Sequence, residues 1–405
     1  MHIAIILSQT PSYSETFFNS KIKGLKEKGI DVVLFCQKKD SGFQLCPVIE
    51  LPKVNANPIV QAWCFLKEFL LLLPYFSKVF RFVKLERGEG SSIIQIFKRV
   101  YLNAPLLKAK LAWLHFGFAT QALGSETVAK AIGAKMAVSF RGFDIAVYPV
   151  KHPNCYIRLW KHVDKVHSIS NYLLKEAYKL GLSDKTPYQI ITPAVDLNLI
   201  TASKFNSKTT SETLQIVTIA RLHYIKGIDI LIETAALLKQ KDFNFRWTVI
   251  GSGSKKDTER YRYHLYEKGL EREVVLTGKL SHQETLSYLN KALIYVQPSL
   301  SEGFCNAVLE AQAMGLLCIA TNTGGIPENI LHEHTGWVVP KNSPELMTQK
   351  LIEVLNLSFD EMEIISNKAI ERVRKEFNIE KQQQEFLDFY KSSLEGGRGV
   401  SLQSQ

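Results

Sequence analysis

From Leu214 to Leu355 the chain alternates short apolar runs with longer amphipathic stretches, and this alternation constrains the fold more than any other feature. LQIVTIA, FRWTVIG, VVLTG, LIYVQPS, LCIAT and TGWVVP read as strands. GIDILIETAALLKQ, TERYRYHLYEKGL, HQETLSYLNKA, NAVLEAQAMG and PELMTQKLIEVL read as helices, the last opened by Pro344 behind the expected cap Ser343. Strands alternating with helices imply a parallel sheet wound on both faces. The first half repeats the pattern less cleanly through HIAIIL, DVVLF, AWLHF, MAVSF, KVHSIS and YQIITPA. With 405 residues, 46% of them hydrophobic, the chain can bury two cores. The expectation is an α/β chain of two Rossmann-like, doubly wound domains facing each other across a cleft. Residues 1–197 and 198–375 form the domains, and 376–395 a final helix packing back toward the first. Residues 396–405 form a disordered tail, too poor in apolar residues to pack.

Six cysteines (Cys36, Cys46, Cys64, Cys155, Cys305 and Cys318) lie scattered without Cys-x-x-Cys spacing, which argues against a disulfide framework or a zinc site. The N-terminal MHIAIILSQTP has an apolar run too short for a signal peptide and no cationic flank, so a cytoplasmic protein is expected. Charge is lopsided. Residues 1–197 hold 26 Lys and Arg against 14 Asp and Glu, or +12; residues 198–405 hold 24 against 25, or −1. Such a basic half suits an anionic partner. Between Pro58 and Leu85, apolar and aromatic residues are interleaved with Lys67, Lys78, Arg81 and Lys84. Its longest uncharged run, Phe69 to Ser77, is broken by Pro74 and falls short of the roughly 20 residues that span a bilayer. The sequence therefore excludes a transmembrane helix and leaves either core packing or peripheral contact with an anionic membrane surface, toward which the charge points.

The stretch from Ser301 to Glu328 carries the chemistry. VQPS ends a strand, LSEGF is a loop, and a helix starts near Cys305 or Asn306, offering free backbone N–H groups to an anion approached through Gly303. Glu302 precedes that helix and Glu310 lies about one turn into it. Were both helical, about 12 Å would separate them along the axis, too far to share one small group. An elongated ligand fits, with phosphates at the helix end and hydroxyls on either side, and a nucleotide sugar has that shape. Gly251 and Gly253 end another strand, and would either let backbone approach such a donor closely or form only a turn.

Glu302-x7-Glu310, Gly324-Gly325 with Pro327-Glu328, and ARLHYIKGIDILI together resemble the retaining GT-B glycosyltransferases of family GT4, also called glycosyl transferase group 1. In the first half PSYSETFF, LHFGFAT, SFRGFDI and SISNYLLKEAYKLG are similar to the subgroup that builds bacterial exopolysaccharides, O-antigens and colanic acid. The resemblance implies a GT-B fold, with the first domain for the acceptor and the second for the nucleotide sugar. It implies that Arg221 and Lys226 hold the donor diphosphate, that Glu302 and His115 face the transferred sugar, and that Glu310 binds the ribose. Gly303, Phe304, Asn306, Gly251, Gly253, Gly278 and Lys279 would bind the rest of the donor, while Arg141 and Asp144 line the cleft. Arg141 stands where the family often has His. Glu15 is an acceptor-side candidate.

No Asp-x-Asp occurs, so no metal and no other cofactor is expected, Arg221 and Lys226 neutralising the diphosphate instead. The implied reaction moves a sugar from a UDP or GDP sugar to a hydroxyl of a lipid-linked or growing saccharide, with no nucleic acid as partner. The competing reading is a sugar-nucleotide-binding protein of the same architecture that does not transfer, such as an epimerase or an inactive partner. A glycoside hydrolase also uses two carboxylates, but those flank one bond, whereas Glu302 and Glu310 address different parts of one ligand.

Overall fold

The computed structural model of the chain describes residues 1–11, 16–200 and 213–392. Glu15, the tail 396–405 and most of the stretch joining the two halves lie outside the described residues. Two compact units emerge, one of Met1–Ile191 with residues 382–392, the other of Thr192–Lys381.

The first unit is built on strands β1 (His2–Gln9), β2 (Asp31–Lys38), β3 (Val48–Glu50), β4 (Trp113–Phe116), β5 (Lys135–Phe140), β6 (Lys165–Ser168) and β7 (Tyr188–Ile190). They lie side by side in the order β3-β2-β1-β4-β5-β6-β7, every pair parallel, with Ile3 level with both Val32 and Trp113. Ile3 to Leu7 are all buried, because helices cover both faces of a parallel sheet, and this is why β1 is written as an unbroken apolar run. On one face the helix Thr16–Glu27 contributes Phe17, Phe18, Ile22 and Leu25, and the helix Ile379–Lys391 contributes Phe386, Phe389 and Tyr390.

The second unit carries β8 (Leu214–Ile219), β9 (Phe245–Ile250), β10 (Val274–Gly278), β11 (Ile294–Gln297), β12 (Leu317–Thr321) and β13 (Trp337–Val339), in the order β10-β9-β8-β11-β12-β13 and again all parallel. Each unit is thus the parallel α/β sheet that the alternation predicts. Leu231, Ile232, Ala235 and Leu238 of the helix Ile228–Gln240 pack with Ile216, Trp247 and Val249 of the sheet. The long helix Phe359–Glu376, opened by a reciprocal cap between Ser358 and Glu361, has no counterpart in the sequence reading, nor has β3. Ser343 does precede the helix Pro344–Leu355, but its hydroxyl makes no capping bond there and donates to the Lys341 carbonyl.

One expectation is corrected by the first unit. Pro74 does not break the segment after Pro58: it sits in a single 3-10 turn, Leu73–Tyr75, that joins the helices Pro58–Leu72 and Phe76–Gly88. Proline is tolerated there because the first turn of a helix leaves its backbone N–H unused. The result is a helical run of 31 residues which, by length and composition, is sufficient to cross a membrane.

Candidate active site

The order of the second sheet reverses between β8 and β11, its first and fourth strands in sequence, and in open α/β sheets this reversal opens a crevice beyond the carboxyl ends. Arg221 follows β8 and Glu302 follows β11, so both stand at that point. Arg221 is exposed. Beyond it, a 3-10 turn, Tyr224–Lys226, closes on Gly227 in the left-handed region, where the helix Ile228–Gln240 begins. That turn carries Lys226 to Glu302, and its Nζ donates to Glu302 Oε1 at 2.6 Å.

Glu302 Oε1 also accepts from Ser299 Oγ at 2.7 Å and from Gln297 Nε2 at 3.4 Å, and Tyr295 OH donates to Gln297 Oε1 at 2.5 Å. The carboxylate is largely buried, but all these donors meet one of its oxygens. An ammonium has three N–H donors, so one bond to Glu302 orients Lys226 and leaves two for a ligand. Among the described residues no group of three His, Cys, Asp or Glu side chains is placed to hold a metal ion.

Backbone packing fixes this loop. Leu300 N donates to Ile225 O at 2.8 Å, and Gly325 N donates to Glu302 O at 3.1 Å. Gly324 has φ +57°, and a Cβ there would meet Glu302 O at 1.7 Å, so only glycine lets the two loops approach. Asn329 Nδ2 donates to the carbonyls of Phe304 and Cys305, and Asn329 Oδ1 accepts from Gln312 Nε2 at 2.8 Å. The Phe304 ring is buried 5.5 Å from that of Phe377, filling the core beneath the loop. Gly303 is half-buried, and Asn306, the first residue of the helix Asn306–Ala313, is exposed.

Gly251 and Gly253 meet the chain rather than open space. A Cβ on Gly251 would lie 2.0 Å from Ala220 O, and one on Gly253 would lie 2.4 Å from Leu222 O. They flank Arg221 from behind and set the path of its loop. Gly278, at φ +78°, accepts from Gly251 N at 2.9 Å and leaves Lys279 exposed beside it.

Residues 200–372 match the model of the family described as glycosyl transferases group 1. The chain carries a glycosyl transferase group 1 domain. It is homologous to the putative colanic acid biosynthesis glycosyltransferase WcaL of Escherichia coli, 28% identical over 65% of this chain and 66% of that one. It is also homologous to the amylovoran biosynthesis glycosyltransferase AmsK of Erwinia amylovora, 28% identical over 72% of each. The matched part is thus just under two thirds of WcaL's own length. Among solved structures, Anabaena HepE in complex with UDP and glucose superposes with a TM-score of 0.72 at 13% identity, covering 97% of this chain and 100% of HepE. That likeness is one of fold, and it bears out the GT-B architecture.

Within the group 1 domain, Glu310 is three-quarters buried and its Oε1 lies 3.2 Å from His282 Nε2, the first residue of the helix His282–Lys291. His282 is absent from the motif reading. The hydrogen bond to Glu310 holds its imidazole pKa above the ordinary 6.5, against burial, with Asp196 adding to the effect. A raised folded-state pKa stabilises fully below the unfolded value, and the contribution fades as pH rises through the folded one. The expected result is an NMR titration of His282 with its midpoint above 6.5, falling in Glu310→Gln; an unchanged midpoint in that variant contradicts the pairing.

In the first unit two predicted site residues are buried in hydrogen-bond networks. His115 lies within β4, fully buried, and does not stand beyond its end. Its Nδ1 lies 2.6 Å from Tyr390 OH and 3.2 Å from Lys21 Nζ, and its Nε2 lies 2.8 Å from Ser139 Oγ, which also contacts His167 Nδ1 at 2.8 Å. Both ring nitrogens of His115 have partners inside the unit. Burial holds His115, His167 and Lys21 well below their ordinary pKa values, toward the neutral forms that such a site tolerates. Asp144, also fully buried, accepts from the backbone N–H groups of Arg141, Gly142 and Ala119, tying the loop after β5 to the one after β4. It shapes those loops. Arg141 is half-buried, its guanidinium carbon 3.5 Å from the centre of the Phe17 ring.

Proposed function

We propose that the chain is a retaining, metal-independent glycosyltransferase that moves a sugar from a nucleoside-diphosphate sugar, UDP or GDP, to a hydroxyl of a lipid-linked or growing saccharide. The observation that carries this reading is the meeting of Lys226 and Glu302 at the reversal point of the sheet, with Arg221 exposed on the loop after β8. A carboxylate suits sugar hydroxyls, and two cations suit a diphosphate. The names of WcaL and AmsK support a saccharide product, and the UDP and glucose bound to HepE support a nucleotide sugar donor. In the reaction the acceptor oxygen bonds to the anomeric carbon as that carbon's bond to the diphosphate oxygen breaks. The acceptor proton passes to the departing diphosphate on the same face, and Arg221 and Lys226 stabilise its growing charge.

The test is release of nucleoside diphosphate from a panel of nucleotide sugars with and without a saccharide acceptor. Release that depends on acceptor is expected; binding without any release identifies a non-transferring protein. Activity is expected to persist in excess EDTA, since Arg221 and Lys226 already neutralise the diphosphate. Loss of turnover in EDTA, restored by Mg²⁺, refutes metal independence, and an inverted anomeric linkage in the product's NMR spectrum refutes retention.

A further inference from the structure

The helical run Pro58–Gly88 leaves one side uncovered. Ile59, Trp63, Leu66, Leu70, Leu73, Phe76 and Phe80 recur at steps of three and four, the spacing of a single helical face, and each is between 51% and 70% exposed. Ordinary soluble surfaces rarely carry an apolar stripe of this length. Beside it, Phe97 stacks on Phe65 and Phe69 from the next helix, Ile93–Leu102, which itself begins with the exposed Ile93 and Ile94. Around the stripe the charge is one-sided: residues 58–110 hold nine Lys and Arg against three Glu. All three acids are already engaged, Glu68 with Lys108, Glu86 with Arg99 and Arg158, and Glu89 with Lys161 and His162. Lys67, Arg81, Lys84 and Arg87 are exposed on the same run.

We infer that this face is a docking surface for an anionic lipid bilayer, entered side-on, with the stripe among the acyl chains and the cations among the headgroups. An apolar stripe edged with unpaired cations is complementary to a negatively charged interface. A second copy of the chain is a poor occupant, because a symmetric contact sets the same cations against each other. Crossing the bilayer is disfavoured by the opposite side of the run, which is fastened along its length to the unit. Glu68 meets Lys108 at 3.0 Å, Leu72 and Phe82 are buried, and buried Glu86 holds Arg99 at 2.6 Å. A spanning helix would carry these charged contacts into hydrocarbon or break them. Lys78 drops out of the lipid-facing set expected from the sequence: it is half-buried, and its Nζ donates to Ala109 O at 2.7 Å.

Vesicle binding needs neither donor nor acceptor, so it stands or falls separately from the proposed reaction. Full-length protein is expected to co-sediment with mixed phosphatidylcholine and phosphatidylglycerol vesicles, more weakly with phosphatidylcholine alone, and less as salt is added. Trp63 is the most exposed of the five tryptophans, so brominated acyl chains are expected to quench emission in the wild type and not in Trp63→Phe. The double variant Leu66→Asp, Leu70→Asp is expected to bind about tenfold more weakly or worse with its melting temperature unchanged, since both positions are exposed. Arg81→Gln with Lys84→Gln is expected to lower binding and its salt dependence together. Absence of binding at low salt, full binding by the Asp variant, or absence of quenching overturns the inference. So does retention in carbonate-washed membranes, which marks a spanning helix, or a solution dimer that the Asp variant dissociates.

Discussion

Lys226→Ala is expected to lower turnover by about 100- to 1,000-fold, the range seen when one preorganised donor to a developing oxyanion is removed. The ammonium is held by Glu302 at 2.6 Å before any ligand arrives, and the turn that carries it is seated against the β11 loop through Leu300 N and Ile225 O. A group fixed in this way need not reorganise when charge builds on the departing diphosphate, so its loss falls on kcat more than on KM. Arg221→Ala is expected to act more on donor affinity, because its side chain is exposed and less of its freedom is already spent. Lys226→Arg keeps the charge but misplaces it, since a planar fork cannot occupy the position of a compact ammonium. Steady-state kinetics with saturating donor decide the matter. Turnover within about threefold of wild type in a folded Lys226→Ala protein removes Lys226 from the reaction.

Most strands and much of the candidate site were legible for the same reason: their signals are local. A strand covered on both faces is a continuous apolar run, so β1 and β8 through β13 could be read directly. β3 has three residues and only one of them half-buried, which leaves no run to read. The helix Phe359–Glu376 buries Met362, Ser366, Ala369 and Val373, and two small residues in a four-residue stripe weaken its periodicity. Arg221, Lys226 and Glu302 sit on loops with fixed spacing and were found. Gly324, Gly251 and Gly253 were recognised as glycines, but their reason lies in carbonyls of Glu302, Ala220 and Leu222 that approach only in the folded chain. On paper His115 and Asp144 are each only a polar side chain near a strand end. Only the fold shows that His115 meets Tyr390, 275 residues away, and that Asp144 accepts from three backbone N–H groups. Gln297, Ser299 and His282 were missed outright, although two polar residues, Gln297 and Ser299, closing the otherwise apolar LIYVQPS are a usable signal.

Glu302→Ala is expected to lower turnover by about tenfold or more while the protein stays folded, and the same change should separate its role from that of Glu310. Glu302 stands on the loop after β11 among Lys226, Ser299 and Gln297, all bonded to one oxygen, so it is both the anchor of the cation and the carboxylate nearest to it. Glu310 is a turn inside the following helix and is held by His282. Glu310→Gln is therefore expected to raise the donor KM with little change in kcat, as for a group that binds substrate and transition state alike. Because Lys226 and Glu302 touch, their effects are not independent. The double variant Lys226→Ala, Glu302→Ala is expected to be less impaired than the product of the two single losses, since either change already dismantles the pair. Near-normal turnover of Glu302→Ala with donor and acceptor saturating takes the residue out of the chemistry. Strict multiplicativity in the double variant breaks the coupling and leaves the 2.6 Å contact as a structural ion pair.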